Sequence, residues 1–338
     1  MRIAVDVMGG DDTPGGGEAL GNVVSGALIA ARHLQIGLLL AGDKHAIESE
    51  LARQPGVDDL HIEILDAPQR IEMSEPAATA LRRKPLASIR AAADAVAAGR
   101  ASAVFSAGHT GASVIAAHAA FGRLPGVDRP ALAAVIPTRC APAVLLDVGA
   151  TVECRPQHLV QFALMGASYA RLALGCAEPR VGLLSIGEEE SKGNELTREA
   201  HQLLKTAPVH FIGNVEGRHV YSGEADVVVC DGFTGNVTLK TSEGLVDTVE
   251  ALLHDELSGT FGRRVGYLLS RRAFRRFRKR LDYSEHGGAP LLGLNGLCIV
   301  GHGRSSAKAV RNAVALAVRC VRDDLVAKLA RGVGAVAP

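Results

Sequence analysis

The chain has no tryptophan, and aromatic residues make up only 4% of it, although 47% of its residues are hydrophobic. Any core it builds is therefore aliphatic, and there is enough apolar material to fill one. Charge of one sign is also missing. The 37 Lys and Arg nearly match the 36 Asp and Glu, leaving +1 over 338 residues. That excludes bulk attraction to nucleic acid or another polyanion, so any basic site has to be local. The six cysteines (Cys140, Cys154, Cys176, Cys230, Cys298 and Cys320) form no CxxC pair. This excludes a disulfide framework or a zinc knuckle and points to reduced thiols in a cytoplasmic protein. No apolar run approaches the roughly 18–20 residues of a spanning helix. The opening MRIAVDVMGG meets Asp6 and then glycines, which is unlike a secretory signal. HExxH and GxSxG are absent, which removes the zincin and nucleophile-elbow chemistries. The twelve histidines do not pair with acids at helical spacing.

What is present is alternation. Short apolar runs at 3–7, 36–40, 61–65, 103–105, 132–136, 144–146, 181–184, 209–212, 227–230 and 297–300 read as strands. Helical stretches fall between them, at 18–33, 45–53, 89–98, from after Gly111 to Phe121, and at 156–174 and 195–205. A final helix repeats Val310, Val314, Val318, Val321 and Leu325 at helical spacing. This pattern predicts an α/β fold with a largely parallel sheet and flanking helices. Residues 1–338 are expected to form one α/β catalytic unit, open to division into two intertwined subdomains.

Strand after strand ends in glycine beside a polar residue. Examples are Asp6 before Gly9, Gly42-Asp43, Gly108-His109, Asp147 before Gly149, Gly187-Glu188, Gly213-Asn214, Asp231-Gly232 and Gly301-His302. Parallel sheets bind ligands beyond the carboxyl ends of their strands, so the recurrence predicts a crevice there. Each pair taken singly also serves as an ordinary turn.

The most informative stretch is 225–244, ADVVVCDGFTGNVTLKTSEG. A buried strand turns through Gly232 and Gly235 into a helix expected to begin at Asn236, with Lys240 one turn in. Backbone N–H groups and the helix dipole at such a start suit an anion such as phosphate. A plain β-α turn accounts for the same glycines. It is not a P-loop, because Leu239 stands where the second glycine is required. His109 and His302, each beside glycine, are candidates for acid, base or phosphate donor. Cys230 reads as a small buried residue rather than a nucleophile.

One region departs from the even charge. Residues 261–281, FGRRVGYLLSRRAFRRFRKRL, hold nine basic residues and no acid, with apolar positions three and four apart. A basic amphipathic helical insertion is expected over 257–282. Such a helix suits an anionic membrane surface or an acidic protein partner, and a dimer-interface helix is the alternative.

Many segments, in order, resemble the bacterial phosphate acyltransferases, which make acyl phosphate from fatty acyl-carrier protein and inorganic phosphate. They include Met8-Gly9-Gly10-Asp11, Ser106-Ala107-Gly108 with Thr110-Gly111, and Gly126-Val127-Asp128-Arg129-Pro130. Gly187-Glu188-Glu189 with Lys192-Gly193-Asn194, Phe211 to Gly217, Asp231-Gly232-Phe233 with Gly235-Asn236, and Gly287 to Gly293 continue the series. The resemblance implies an isocitrate/isopropylmalate dehydrogenase-like, phosphotransacetylase-related fold and a homodimer. It implies a place early in phospholipid synthesis, peripheral to the inner membrane, with a glycerol-3-phosphate acyltransferase as the next enzyme. No metal or other cofactor is required, and no nucleic acid is implicated. The family usually has Asn where His109, Thr151 and Ser185 stand, and Asp where Glu153 stands.

The chemistry of such a transfer suggests roles. Substrate binding is expected from Gly108, Thr110, Gly187, Lys192, Asn194, Asn214, Glu216, Gly235, Asn236 and Lys240. His302 or His109 would protonate the leaving thiolate, oriented by Asp231 and Asp147. Arg271, Arg272, Arg275 and Arg276 would meet carrier protein or membrane. Two alternatives are a dehydrogenase using nicotinamide and a metal, and a catalytically altered paralogue that binds membrane or carrier protein.

Overall fold

The computed structural model describes residues 1–10, 18–281, 285 and 287–334; the side chains at 18, 258, 261, 264, 265, 275, 278, 281 and 334 are outside that description. Asp11 of the Met8–Asp11 motif, Asp282 at the end of the expected insertion and the Arg275 side chain therefore lie outside the described residues.

The chain opens with β1 (Arg2–Asp6), α1 (Glu18–Leu34), β2 (Gly37–Gly42), α2 (Lys44–Leu51) and β3 (Ile62–Asp66). It continues through α3 (Ala77–Arg83), α4 (Ser88–Ala97), β4 (Ala103–Ser106) and α5 (Thr110–Phe121). Then come β5 (Ala131–Ile136), β6 (Ala143–Leu146), α6 (Pro156–Ala173), β7 (Arg180–Ser185), α7 (Glu195–Leu204), β8 (His210–Glu216) and β9 (Val227–Val229). The last third holds α8 (Gly232–Ser258), α9 (Phe261–Leu281), β10 (Ala289–Leu292), β11 (Cys298–Val300), α10 (Ala307–Arg322) and α11 (Leu325–Gly334).

All the described strands join one sheet of eleven, ordered β3-β2-β1-β4-β11-β10-β5-β6-β9-β7-β8. Pairings are parallel at both flanks. Three antiparallel pairings, β11 with β10, β10 with β5, and β5 with β6, sit in the middle. Because three reversals is an odd number, the two parallel blocks run in opposite senses. The carboxyl ends of β1, β4 and β11 therefore open at one end of the sheet, and those of β6, β9, β7 and β8 at the other. This corrects the expectation of one crevice gathering every strand end. Near-continuous apolar runs do not reveal strand direction; it is set by where β5 and β10 pair.

Alternate residues along each strand feed two aliphatic layers, as a period of two requires. On one face Ile3, Val5 and Leu146 pack with Val24, Leu28, Phe162, Leu204 and Val314 from α1, α6, α7 and α10. On the other face Ala4, Leu145 and Val228 pack with Leu81, Ile89 and Ala117 from α3, α4 and α5.

Several local expectations change. β8 runs on to Glu216, so Gly213-Asn214 lies inside a strand. The register against β7 skips Ile212, and Gly213 takes φ +99, a bulge conformation that favours glycine. Short α3 and β10 escaped the sequence reading; β10 is four residues long and contains Pro290. The C-terminal helix divides at Asp323-Asp324, where Asp324 has φ 55. The basic stretch forms α9, which packs against the 27-residue α8.

The centre of the sheet is pinned by a carboxylate. Asp147 follows β6, is fully buried, and accepts hydrogen bonds from the backbone N–H groups of Leu132 (2.8 Å), Gly149 (3.0 Å), Ala150 (3.0 Å) and Thr151 (2.6 Å). Burial raises its carboxyl from 3.8 to about 6, while the N–H bonds pull the other way. Between pH 3.8 and about 6 the native state thus holds a proton that the unfolded chain has lost. The stability this confers is full below the unfolded value and is lost as pH rises through about 6. Asn at this position cannot titrate, so the stability deficit of Asp147→Asn should be larger at pH 4 than at pH 7.5 in urea unfolding. An equal deficit at both pH values would rule the titration out.

Candidate active site

The turn that Asp147 organises is also the seat of α8. Asp231 caps that helix, accepting from Thr234 N–H at 2.8 Å and from the Thr234 hydroxyl at 2.7 Å. The Gly232 N–H donates to Thr151 O at 2.9 Å, and the Gly235 N–H to Asp231 O at 3.0 Å. The helix therefore begins at Gly232 rather than Asn236, and Lys240 stands about two turns in. The N–H groups of Gly232, Thr234 and Gly235 are directed to protein acceptors, and the Asp231 carboxylate already answers the helix dipole. The amide and the cation that α8 brings to the cleft, Asn236 and Lys240, lie in its second and third turns. A Cβ at Gly235 would lie 1.9 Å from Asp147 O and 2.8 Å from Cys230 Sγ. The glycine is there for close approach of helix to turn.

The facing wall comes from the other block. Buried Asp6, at the end of β1, accepts from the Ser106 hydroxyl (2.6 Å) and the Gly9 N–H (3.2 Å). The Ser106 hydroxyl in turn accepts from Gly108 N–H at 3.1 Å. This fixes the loop that delivers Gly108 and Thr110, with burial pushing the Asp6 carboxyl up. His109 caps α5, its Nδ1 accepting from Ala112 N–H at 3.4 Å.

Between the walls lies a cavity of about 290 Å³. Its lining includes the apolar residues Leu132, Ala134, Ala289 and Val300 of the central strands, with Leu239. Asn236, Lys240 and Glu243 enter from α8, Gly108 and Thr110 from α5 and the loop before it, and His302 and Ser305 from beyond β11. Asn236 donates to Val148 O at 3.1 Å, which holds its amide against the turn. His302 Nδ1 accepts the Arg304 N–H at 3.2 Å, so a neutral ring carries its proton on Nε2. That nitrogen lies 3.8 Å from Glu243 Oε2, the same oxygen that Lys240 Nζ meets at 2.9 Å.

Of the expected site residues, Gly108, Thr110, Asn236, Lys240 and His302 share this cleft. Gly235 and Asp231 build the start of α8, and Asp147 is occupied by backbone N–H groups. Gly187, Lys192, Asn194, Asn214 and Glu216 do not line the cleft and lie within or after β7 and β8. There Asn194 caps α7, accepting from Thr197 N–H at 2.9 Å. Asn214 meets His201 Nδ1 at 2.8 Å and donates to Glu189 O at 3.0 Å, and Glu216 pairs with Arg218 at 2.9 Å. Exposed Arg271, Arg272 and Arg276 lie on α9. Glu243, Ser305 and Met73, which also lines the cavity, escaped the sequence reading. Only the i,i+3 spacing of Lys240 and Glu243 hinted at the first. Cys230 is buried, and burial pushes its thiol well above the ordinary range, as packing rather than nucleophilic attack requires. Among the described residues no group of three or more His, Cys, Asp or Glu is placed to hold a metal. No described helix is long and apolar enough to cross a membrane.

A mixed sheet with helices on both faces and a cleft between opposed blocks defines an α/β fold of the phosphotransacetylase kind. A phosphotransacetylase from Streptococcus pyogenes superposes with a TM-score of 0.57 at 16% identity, covering 99% of this chain and 94% of that one. Residues 1–328 match the family described as fatty acid synthesis protein, and the chain belongs to that family. Its relatives include enzymes named phosphate acyltransferase. The one from Geobacter sulfurreducens is 48% identical over 98% of this chain and 93% of its own length. The one from Nitratidesulfovibrio vulgaris is 51% identical over 94% and 91%.

The seat of α8 is testable. Gly235→Ala should cost about 3 kcal/mol by overpacking or prevent folding. Gly244→Ala, with nothing within 4 Å of its Cβ, should be neutral or stabilise by up to about 1 kcal/mol. Denaturant midpoints of the two variants check this, and equal midpoints would contradict the close-approach argument.

Proposed function

We propose that this chain transfers a fatty acyl group from acyl-carrier protein to inorganic phosphate, releasing acyl phosphate and the carrier thiol. The observation that carries this reading is the cleft itself, where Lys240, Thr110 and the His302 Nε2–H rim an apolar floor. An acyl chain wants that floor, and a phosphate wants that rim. Phosphate is already a nucleophile, so a covalent enzyme intermediate is unnecessary. A phosphate oxygen attacks the thioester carbon, and the tetrahedral oxyanion collapses with cleavage of the C–S bond. The proton that hydrogen phosphate brings ends on the leaving sulfur, and the His302 Nε2–H donates a hydrogen bond to that sulfur as the C–S bond breaks, so protons balance. Thr110 supplies a hydroxyl donor to the phosphate or the oxyanion.

The reaction is checked by trapping acyl phosphate as its hydroxamate after incubation with acyl-carrier protein and phosphate; no product above the enzyme-free control sinks the reading. Lys240→Ala removes the cation and should raise KM for phosphate about 10- to 100-fold, in line with roughly 1.5–3 kcal/mol for a charge-assisted contact. An unchanged KM in a folded, active variant rules out the Lys240 assignment.

The α8–α9 arm is the part of the chain suited to larger partners. Along α8, Phe233, Val237, Leu245, Val249 and Leu252 form an exposed apolar stripe, the surface that a second copy covers in a homodimer. On α9, exposed Leu268 and Leu269 accompany the arginines, which suits the inner membrane surface as well as an acidic carrier protein. Peripheral attachment there delivers acyl phosphate to a glycerol-3-phosphate acyltransferase. Replacing Arg271, Arg272, Arg275 and Arg276 by Gln should weaken one interaction or the other. If the membrane is the target, binding to anionic vesicles falls, each charge being worth about 1 kcal/mol, while solution turnover stays. If the carrier is the target, turnover falls and its salt sensitivity shrinks. Dissociation of a dimer with neither change makes α9 an interface element as well, and not a membrane or carrier surface.

A further inference from the structure

Among the described cleft residues, Glu243 is the carboxylate, and it has no place in the reaction described so far. It lies at the point where the two blocks of the sheet meet electrostatically. Lys240 and Glu243 both come from α8, which is seated on the β6 turn; His302 comes from the loop after β11, in the oppositely directed block. One carboxylate oxygen, Oε2, serves both partners, at 2.9 Å from Lys240 Nζ and 3.8 Å from His302 Nε2. The Glu243 side chain is 23% exposed, more enclosed than that of Lys240 at 49%. The other His302 nitrogen is turned to the Arg304 N–H at 3.2 Å, so the Nε2 side of the ring is the one presented to Glu243.

We propose that Glu243 is a positioning residue whose one anionic oxygen holds the Lys240 ammonium and faces the His302 Nε2–H, beside the place where a substrate phosphate oxygen later binds. The inference rests on the proposed phosphate acyltransferase reading. A carboxylate there has two effects of opposite sign. It orients the cation and the proton donor before substrate arrives, which favours the chemical step. It also repels an incoming dianion and competes with it for Lys240, which weakens phosphate binding. When phosphate enters, Lys240 turns to it, and Glu243 keeps the imidazole in place beside the leaving sulfur.

The two effects separate in Glu243→Gln, which keeps the shape and removes the charge. We expect kcat with acyl-carrier protein to fall at least tenfold while the calorimetric Kd for inorganic phosphate tightens two- to tenfold. Damage of a merely structural kind weakens both. Glu243→Asp keeps the charge on a shorter arm that does not span both partners. Its kcat should fall while its phosphate Kd stays within threefold of wild type, and it serves alone if the Gln variant does not fold. A kcat within threefold of wild type in either variant overturns the proposal, as does a phosphate Kd in Glu243→Gln that is weaker or unchanged. Wild-type turnover with aberrant variants overturns this role alone. A wild type that binds no phosphate overturns the acyltransferase reading as well.

Discussion

The geometry of the cleft depends on one buried carboxylate. Asp147 gathers the N–H groups of Leu132, Gly149, Ala150 and Thr151 onto two oxygens, and so joins the start of β5 to the end of β6. That join is the antiparallel seam at which the sheet reverses. The turn it shapes then presents Thr151 O to Gly232 and Val148 O to Asn236, which sets the position and angle of α8. Every cleft residue on α8 inherits its place from those contacts. Taking a carboxylate out of water is costly unless its lone pairs are met, and four N–H donors meet them here.

Reversal of the sheet has a functional consequence. In a sheet whose strands all run one way, loops from neighbouring strands converge and a single end carries the site. Here the first block brings its loops to one end, through Gly108, Thr110 and His302. The second block's loops open at the other end, and apart from Val148 of the β6 turn it reaches the cleft through α8. The site is thus made of unlike parts, loop backbone and imidazole on one side and a helix-borne cation on the other. The Lys240–Glu243–His302 contacts are what span them.

Polar residues beside strand-end glycines suggested ligand chemistry, and many prove to have a local duty. Asp43, Asn194 and Asp231 each accept an N–H from the first turn of the helix that follows, and His109 does so through Nδ1. Capping and substrate binding call for the same residue types at the same junctions, so composition cannot separate them. The positions that depart from the usual family residues divide similarly. His109 caps, the Thr151 hydroxyl donates to Pro130 O at 2.9 Å, and the Ser185 hydroxyl is buried without a hydrogen-bond partner. Lys192 and Lys240 looked equivalent as lysines following glycine-bearing strand ends. Their strands, β7 and β9, run the same way; what tells them apart is that α8 carries Lys240 into the cleft, while Lys192 stays in the loop before α7.

The amino-acid sequence by itself determined the class of fold, the aliphatic core and most elements to within a residue or two, because alternation and helical periodicity are local signals. It also carried the family likeness and marked the 261–281 stretch as the one strongly charged surface, since both are matters of residue identity along the chain. Tertiary structure alone decided that β5 and β10 run against their neighbours, that Gly235 packs against Asp147, and that Glu243 faces His302. Each of these is a relation between segments far apart in sequence, fixed by pairing register and close packing, and neither leaves a periodic trace in the chain.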